Sequence, residues 1–310
     1  MKKVIIGSII AIVILLSVFF LLTPSSVSVV TYKSFVVPAK TLSRLYQSKD
    51  TLHNWWPGSE INDTTFSFQN VKYSITHSNQ FGIEFNAQTD AIKMPGTISS
   101  VQFGSSTSTI KWEYAKVDLG LNPLTRLNNY SAIKKIEGQI DTISNALKNY
   151  AENPENIYGF VVNPEKVKDS SLITATRIFD YYPSNDDVMN LLDELNTYIK
   201  SHNGIQDDYP MLRVDTASER KYQVMLAVPL KSSIPQNEKF VVRKMVLGNL
   251  LSAKIKGGLS QVERSQNLFE EYVHDYSIPI VALPFQSLVT NRKTDKDTSN
   301  WITILKYPVL

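Results

Sequence analysis

The 310-residue sequence contains no cysteine. A chain without thiols cannot form a disulfide, use a cysteine nucleophile, or hold zinc or an iron–sulfur cluster through sulfur ligands. An excess of one charge is also missing. The formal net charge is only +3, and Lys2 and Lys3 supply two of the positive charges. The rest of the chain is therefore nearly balanced and has no basic patch of the kind that binds nucleic acid, so we predict no nucleic-acid partner.

Motifs for catalysis and for cofactors are missing as well. The four histidines lie far apart, without the spacing of a metal site. Adjacent carboxylates such as Asp186-Asp187 and Glu270-Glu271 point about 100° apart on a helix, so they do not converge on one bond. We interpret Glu270-Glu271 as a solvated helix face. With no phosphate-binding loop or nucleophile elbow either, the sequence predicts no metal and no cofactor, and it favours binding over catalysis.

One long hydrophobic run is present, at residues 4–22, where no charged side chain occurs. A helix of this length rises roughly 28 Å, at about 1.5 Å per residue, which matches the hydrocarbon core of a bilayer. Because Lys2 and Lys3 precede the run, the positive-inside rule places the N-terminus in the cytoplasm. The run predicts a single-pass protein of the bacterial inner membrane with extracytoplasmic, periplasmic domains. A cleaved signal peptide is the alternative, although its apolar region is usually only about 7–15 residues long.

The patterns that follow divide the chain into a tail and anchor at 1–26, a first domain at 27–152, a linker at 153–157 and a second domain at 158–310. In the first domain, a strand and two short helical pieces precede several strands and one long helix. That helix is predicted from an apolar stripe at three- and four-residue steps. The stripe consists of Ile133, Ile136, Ile140, Ile143, Leu147 and Tyr150.

The second domain reads as two successive strand–helix–strand–strand units. The first has a helix at 186–202 with Ser184 as its cap, and the second has a helix at 261–276 with a capping-box pattern at Ser260 and Glu263. Strands are predicted at 172–182, 211–215, 221–230, 250–256, 280–290 and 301–307. Packed as one pseudo-twofold sheet with its helices on one side, the two units would form a groove along the axis.

The first domain resembles the START-like helix-grip superfamily, also called SRPBCC or polyketide-cyclase-like. The resemblance lies in FVVPAKTLSRLYQSKDTLHNWWPG at 35–58, in TSTIKWEYAKVDLGLNPLTR at 107–126, and in the helix ending LKNYAE. It implies a curved antiparallel sheet that grips a long C-terminal helix around an apolar cavity. The candidate ligand-binding residues, for which filling a core is the alternative role, are Trp112, Tyr114, Ile140, Ile143 and Leu147.

The second domain resembles the GyrI-like domain, known also as the effector-binding domain of AraC-type regulators. The resemblance lies in GNLLSAKIKGG at 248–258, PFQS at 284–287 and the closing NWITILKYPVL. It implies a groove that binds small, often cationic, molecules, and the candidate ligand-binding residues are Phe285, Gln286, Trp301 and Tyr307. The family's acidic residue is replaced by Gln286, and its tyrosine two positions later by Leu288. Because an amide cannot neutralise a cation, this departure argues against cation recognition and hydrolysis.

Together these patterns predict an α+β protein with one N-terminal transmembrane helix, a START-like domain and a pseudo-twofold βαββ repeat domain. The expected function is non-enzymatic binding of a small hydrophobic or amphipathic ligand by a membrane-anchored protein. Two other functions remain open: a hydrolase or isomerase acting in one of the cavities, and a protein-interaction or stress-related module. No protein partner can be named from the sequence.

Overall fold

A computed structural model describes residues 7, 10–14, 17–18, 23–47, 49–168, 170–218 and 220–310. The chain forms two compact units, residues 1–153 and 154–310. Each unit contains one large antiparallel sheet, of seven strands in the first and eight in the second. The structure confirms the predicted α+β class, with two antiparallel sheets and a long helix.

The predicted membrane anchor at residues 4–22 is contradicted. Within the residues that the structure describes, no helix is both long enough and apolar enough to cross a bilayer. The other residues of the anchor, 4–6, 8–9, 15–16 and 19–22, lie outside the described part of the chain. The predicted localisation as a single-pass membrane protein is therefore wrong.

The first unit is a meander of antiparallel strands with the long helix at its end. Its sheet has the order β1-β7-β6-β5-β4-β3-β2, so the first strand lies beside the last. The elements are β1 (Ser26–Phe35), α1 (Ala39–Gln47), α2 (Lys49–Trp55), β2 (Ser59–Asn62), β3 (Thr65–Phe68), β4 (Val71–Asn79), β5 (Gly82–Gln88), β6 (Lys93–Gln102), β7 (Ser108–Asp118) and α3 (Pro123–Ala151).

The long helix α3 begins with strong local signals and buries the predicted stripe. The Asn122 side chain accepts hydrogen bonds from the backbone N–H groups of Leu124 and Thr125, and Pro123 occupies the first helical position. The buried positions of the stripe are Ile133, Ile136, Ile140, Ile143 and Leu147, whereas Tyr150 is half-buried. This spacing places one face of the helix in the core of the unit.

The sheet of the second unit has the strand order β12-β9-β11-β10-β14-β15-β13-β8. One short helix precedes these strands in the sequence. Each half of the sheet contains three consecutive strands of the chain, β9 to β11 in one half and β13 to β15 in the other. In both halves the second of these strands lies at the centre of the sheet, the third lies next to it, and the first lies outermost of the three. The central pair is β10 with β14, where Leu212 is opposite Gln286. The elements are α4 (Pro154–Tyr158), β8 (Asn163–Lys166), β9 (Ser171–Phe179), α5 (Asn185–Ser201), β10 (Met211–Ser218), β11 (Lys221–Leu230), β12 (Phe240–Lys244), β13 (Asn249–Lys256), α6 (Leu259–Asp275), β14 (Phe285–Leu288) and β15 (Ile302–Val309).

The structure of this unit contains a short helix and two edge strands that were not predicted, and one predicted strand is shorter than expected. The segment predicted as a linker, 153–157, largely forms α4, which is anchored because the buried Tyr158 hydroxyl donates to Asp275 Oδ2 at 2.9 Å. The strand predicted at 280–290 is only β14, since Pro279 and Pro284 have no N–H to donate to a strand ladder. The edge strands β8 and β12 were not predicted.

The two helices of this unit begin differently, which the sequence did not distinguish. At α5 the predicted cap is confirmed: Ser184 Oγ accepts from the Asp187 N–H at 3.2 Å, and Asp187 Oδ2 accepts from the Ser184 N–H at 2.9 Å. At α6 the cap is Gly258, without a side-chain hydrogen bond. The predicted capping box of Ser260 and Glu263 is wrong because the helix begins before Ser260.

This difference predicts unequal effects of two serine-to-alanine variants. Ser184→Ala should lower the free energy of unfolding by about 1 kcal/mol, because it removes the partner of a backbone N–H in the first helical turn. Ser260→Ala should change it by less than about 0.5 kcal/mol, because Ser260 is an exposed residue inside the helix. Urea denaturation of both variants measures the two values. A loss at Ser260 equal to that at Ser184 would show that a serine cap does form at α6.

Candidate functional site

A groove of about 320 Å³ lies in the second unit, bordered by α6 and by the central strands β10, β14 and β15. Three of its residues lie side by side across those strands, since Leu212 is opposite Gln286 and Gln286 is opposite Leu305. Directly paired residues share one face of a sheet, so these three form part of the groove floor. The full lining consists of Tyr182, Leu212, Arg213, Val214, Asp215, Glu263, Gln266, Asn267, Glu270, Pro284, Phe285, Gln286, Leu305 and Tyr307.

Three of the four residues predicted for this groove do line it: Phe285, Gln286 and Tyr307. Gln286 and Tyr307 are connected to α6 through one residue. The Gln286 amide Nε2 donates to Gln266 Oε1 at 3.4 Å, and the Tyr307 hydroxyl donates to the Gln266 backbone oxygen at 3.3 Å. Gln266, which was not predicted, therefore fixes both side chains from the helix side of the groove.

Trp301, the fourth predicted residue, is not part of the groove lining. Its ring is buried, and its Nε1 donates to the backbone oxygen of Asp295 at 2.9 Å. The guanidinium of Arg292 lies over the ring, with its carbon 5.1 Å from the ring centroid. Trp301 thus packs against the loop between β14 and β15 instead of facing the groove.

Three carboxylates that the sequence analysis did not assign to a site line the groove, and two of them, Glu263 and Glu270, lie on α6. They are seven positions apart and so lie on the same face of α6. Both are exposed, and in the described part of the chain neither takes part in an ion pair. The interpretation of Glu270-Glu271 as only a solvated face is corrected, because Glu270 borders the groove.

The charges of Glu263 and Glu270 affect the pKa values of two tyrosines that line the groove. Burial and then the charge of Glu263 raise the pKa of Tyr182. Burial and then the charge of Glu270 also raise the pKa of Tyr307, and Arg213 partly opposes that shift. Since a nearby negative charge disfavours a phenolate, the direction of both shifts is that expected for phenols close to carboxylates.

The one arginine that lines the groove is already neutralised. The Nε of Arg213 donates to Asp215 Oδ2, and its Nη1 donates to the Pro284 backbone oxygen at 2.6 Å. Arg213 and Asp215 therefore cancel each other's charge. Glu263 and Glu270 remain, and they make the groove net negative.

The five candidate residues of the first unit lie in its core, each at most 2% exposed. Phe85 lies between the two aromatic candidates, with its ring centroid 5.8 Å from that of Trp112 and 5.5 Å from that of Tyr114. The ring also covers Gly96, where a Cβ atom would come within 2.6 Å of it. Side chains thus fill the space around these aromatic residues. A ligand-binding role for Trp112, Tyr114, Ile140, Ile143 and Leu147 stays a prediction.

Comparisons with known proteins give distant, partial likenesses. No protein-family model and no curated protein matches the chain. Among solved structures, the C-terminal domain of EcmrR is 12% identical, with a TM-score of 0.43, over 49% of this chain and 98% of that one. SAV2435 bound to tetraphenylphosphonium is 13% identical, with a TM-score of 0.36, over 48% and 93% of the two chains.

The complex of EcmrR with DNA also matches, at 13% identity and a TM-score of 0.45, over 60% of this chain and 69% of that one. At these identities and scores the likenesses assign no function to this chain. The absence of a nucleic-acid partner stays a prediction.

Proposed function

We propose that the second unit binds a small amphipathic molecule that carries a positive charge, without a cofactor. The observation that carries this proposal is the pair of carboxylates, Glu263 and Glu270, that line the groove and form no ion pair within the described residues. The replacement of the family's acidic residue by Gln286 argued against cation binding. Glu263 and Glu270 supply the missing negative charge from α6 instead of from the strand.

The rest of the lining suits an apolar or aromatic body for this ligand. Leu212, Val214 and Leu305 are apolar. Tyr182 and Tyr307 offer aromatic faces next to the carboxylates, and such faces attract cations within about 6 Å. Small-molecule sites commonly combine a mostly apolar lining with a few polar groups that fix the orientation of the ligand.

We also propose the finer fold assignments: a GyrI-like second domain at 158–310 and a START-like first domain at 27–152. The ordered halves of the second sheet support the first assignment. The placement of β1 beside β7, together with the long helix α3 after the sheet, supports the second.

The proposed cation binding is tested with two ions of nearly equal size and opposite charge, tetraphenylphosphonium and tetraphenylborate. Calorimetric titration should show tighter binding of the cation. The double variant Glu263→Gln/Glu270→Gln should bind the cation roughly tenfold more weakly, because two partly screened attractions are removed. The loss should shrink at high salt, since ions screen exposed charges beyond a Debye length of about 10 Å at 0.1 M.

Glu271→Gln is the matched control, because it removes the same charge from a position that does not line the groove. Its affinity for the phosphonium should stay within about twofold of the unmodified protein, as expected for an exposed charge outside the site. Equal binding of the two ions would refute the proposal. So would a double variant that binds the cation as well as the unmodified protein does.

A further inference from the structure

The loop after β14 carries a charged side chain that the groove described above does not use. Arg292 is only 2% exposed. One of its terminal nitrogens donates to the Thr303 hydroxyl at 2.7 Å, and its guanidinium lies over the Trp301 ring. Its Nε is buried and makes no hydrogen bond within the described residues. Neither a neutral hydroxyl nor an aromatic ring carries the full negative charge that would balance this cation.

The unbalanced charge is costly for the protein on its own. No carboxylate of the described chain forms an ion pair with Arg292, and a buried ion without a partner carries a penalty of several kcal/mol. Burial lowers the pKa of Arg292 to about 10. Because that value is still well above neutral pH, the guanidinium stays protonated there. The loop therefore presents a positive charge whose buried Nε–H has no partner among the described residues.

Arg292 lines a side pocket of about 80 Å³ that shares part of its lining with the groove. Glu263, Gln266 and Gln286 line both spaces. Asn185, at the start of α5, also lines the side pocket, and its Oδ1 is buried without a hydrogen-bond partner in the described chain. Within the described residues, the pocket thus has an unused donor on a cation, which suits an anion, and an unused acceptor near the carboxylate of Glu263, which suits a cationic N–H group.

We propose that the side pocket is a subsite for a carboxylate, held by the guanidinium of Arg292. The natural ligand of the groove is then a zwitterion whose cationic group faces Glu263 and whose carboxylate enters the side pocket. The cationic half of this proposal rests on the proposed function. A planar guanidinium matches a carboxylate in geometry. A phosphate dianion fits less well, since Glu263 would repel its second charge.

Ordered water is the competing occupant, because a space of this size holds several water molecules. Water would satisfy the Nε donor but would not neutralise the charge. The two possibilities differ in one measurable quantity, the gain in affinity when a carboxylate is added to a cationic ligand.

Three probes with a common phenyl-ethyl skeleton measure that gain: phenethylamine, 3-phenylpropionate and phenylalanine. We expect the full-length protein to bind phenylalanine about tenfold more tightly than phenethylamine, the size expected for a charge-assisted hydrogen bond. In Arg292→Gln the two affinities should become equal. Arg292→Lys keeps the charge and should keep part of the preference, which guards against a Gln variant that fails to fold.

Glu263→Gln is the matched control on the cationic side. It should weaken phenethylamine, while the preference for phenylalanine should stay at least tenfold, because the variant also removes the repulsion between Glu263 and the ligand carboxylate. A ratio of these two affinities near one in the unmodified protein overturns the carboxylate subsite while leaving the proposed cation binding intact. So does a ratio that Arg292→Gln does not alter. Binding of 3-phenylpropionate alone, lost in Arg292→Gln, would support the subsite and refute cation binding. No binding of any probe would overturn both.

Discussion

Replacing Phe269 with alanine is expected to lower the free energy of unfolding of the second unit by about 3–5 kcal/mol. The Phe269 ring is fully buried on the inner face of α6. Its centroid lies 5.3 Å from that of Phe160 and 4.2 Å from that of Tyr307. Alanine would remove these contacts and leave a cavity that the surrounding rings, held by several elements, can only partly fill.

The same substitution should weaken ligand binding, because Phe269 packs behind Tyr307, which lines the groove. Urea denaturation followed by hydrogen exchange of the α6 amides measures the stability of this unit. Phe269→Leu is the matched control, and it should cost less than about 2 kcal/mol because it retains most of the apolar volume. A loss below about 1 kcal/mol for Phe269→Ala would show that α6 is not fixed to the sheet through this ring.

Much of the second unit was predictable because its signals are local. The stretch predicted as 221–230 is β11 as observed, Lys221–Leu230. The helix predicted at 186–202 forms as Asn185–Ser201, with the predicted serine cap. Such features depend on residues within one or two turns of each other, and those residues are adjacent in the sequence.

The edge strands escaped prediction because their pairing is not local. The β8 sequence, NPEK, has no apolar residue, and all four of its residues are exposed. It is a strand only because Asn163 to Lys166 pairs with β13. In the same way β12 pairs with β9, across more than sixty residues of chain. A strand of this kind is defined by the sheet that it joins, and the periodicity of its own sequence does not reveal it.

The site was only half predictable for a related reason. Phe285, Gln286 and Tyr307 were predicted because they lie in PFQS and NWITILKYPVL, the two segments near the C-terminus on which the family resemblance was based. The roles of Glu263 and Glu270 were not predicted, because the sequence of α6 does not indicate which of its polar residues lie beside a groove. A spacing of seven between Glu263 and Glu270, with Gln266 between them, is the signal that was available. It becomes informative only when the helix is known to lie beside Leu305 and Tyr307.

Trp301 shows a limit of the alternation rule. Trp301 lies an even number of positions from Leu305 and Tyr307, so a strand that included all three would place their side chains on one face. However, β15 begins at Ile302, and Trp301 closes the short 3₁₀ turn Thr298–Asn300. Its ring is therefore not part of the groove lining and lies against the guanidinium of Arg292. The alternation of side chains applies within β15 and does not extend to the turn that precedes it.

In the first unit, Trp112→Ala is expected to lower the free energy of unfolding by about 3–5 kcal/mol. The Trp112 side chain is fully buried on β7 and packs edge-on against Phe85. This prediction separates the two roles that the sequence left open. A residue that fills the core is costly to truncate, whereas truncation of a residue that lines an open cavity removes few contacts and enlarges the cavity.

Trp112→Phe is the informative control, because the Trp112 Nε1 is buried without a hydrogen-bond partner in the described residues. An unpaired buried N–H costs about 1–3 kcal/mol, and phenylalanine removes it while keeping an aromatic ring in place. We therefore expect Trp112→Phe to lose less than about 1.5 kcal/mol. Urea denaturation of both variants, with hydrogen exchange of the β7 amides, measures the difference. If Trp112→Ala cost less than about 1 kcal/mol and bound an apolar probe more tightly, the ring would line a cavity. A loss of about 3–5 kcal/mol for Trp112→Ala would assign the Trp112 ring to the core. The groove beside α6 would then be the better place to look for a ligand.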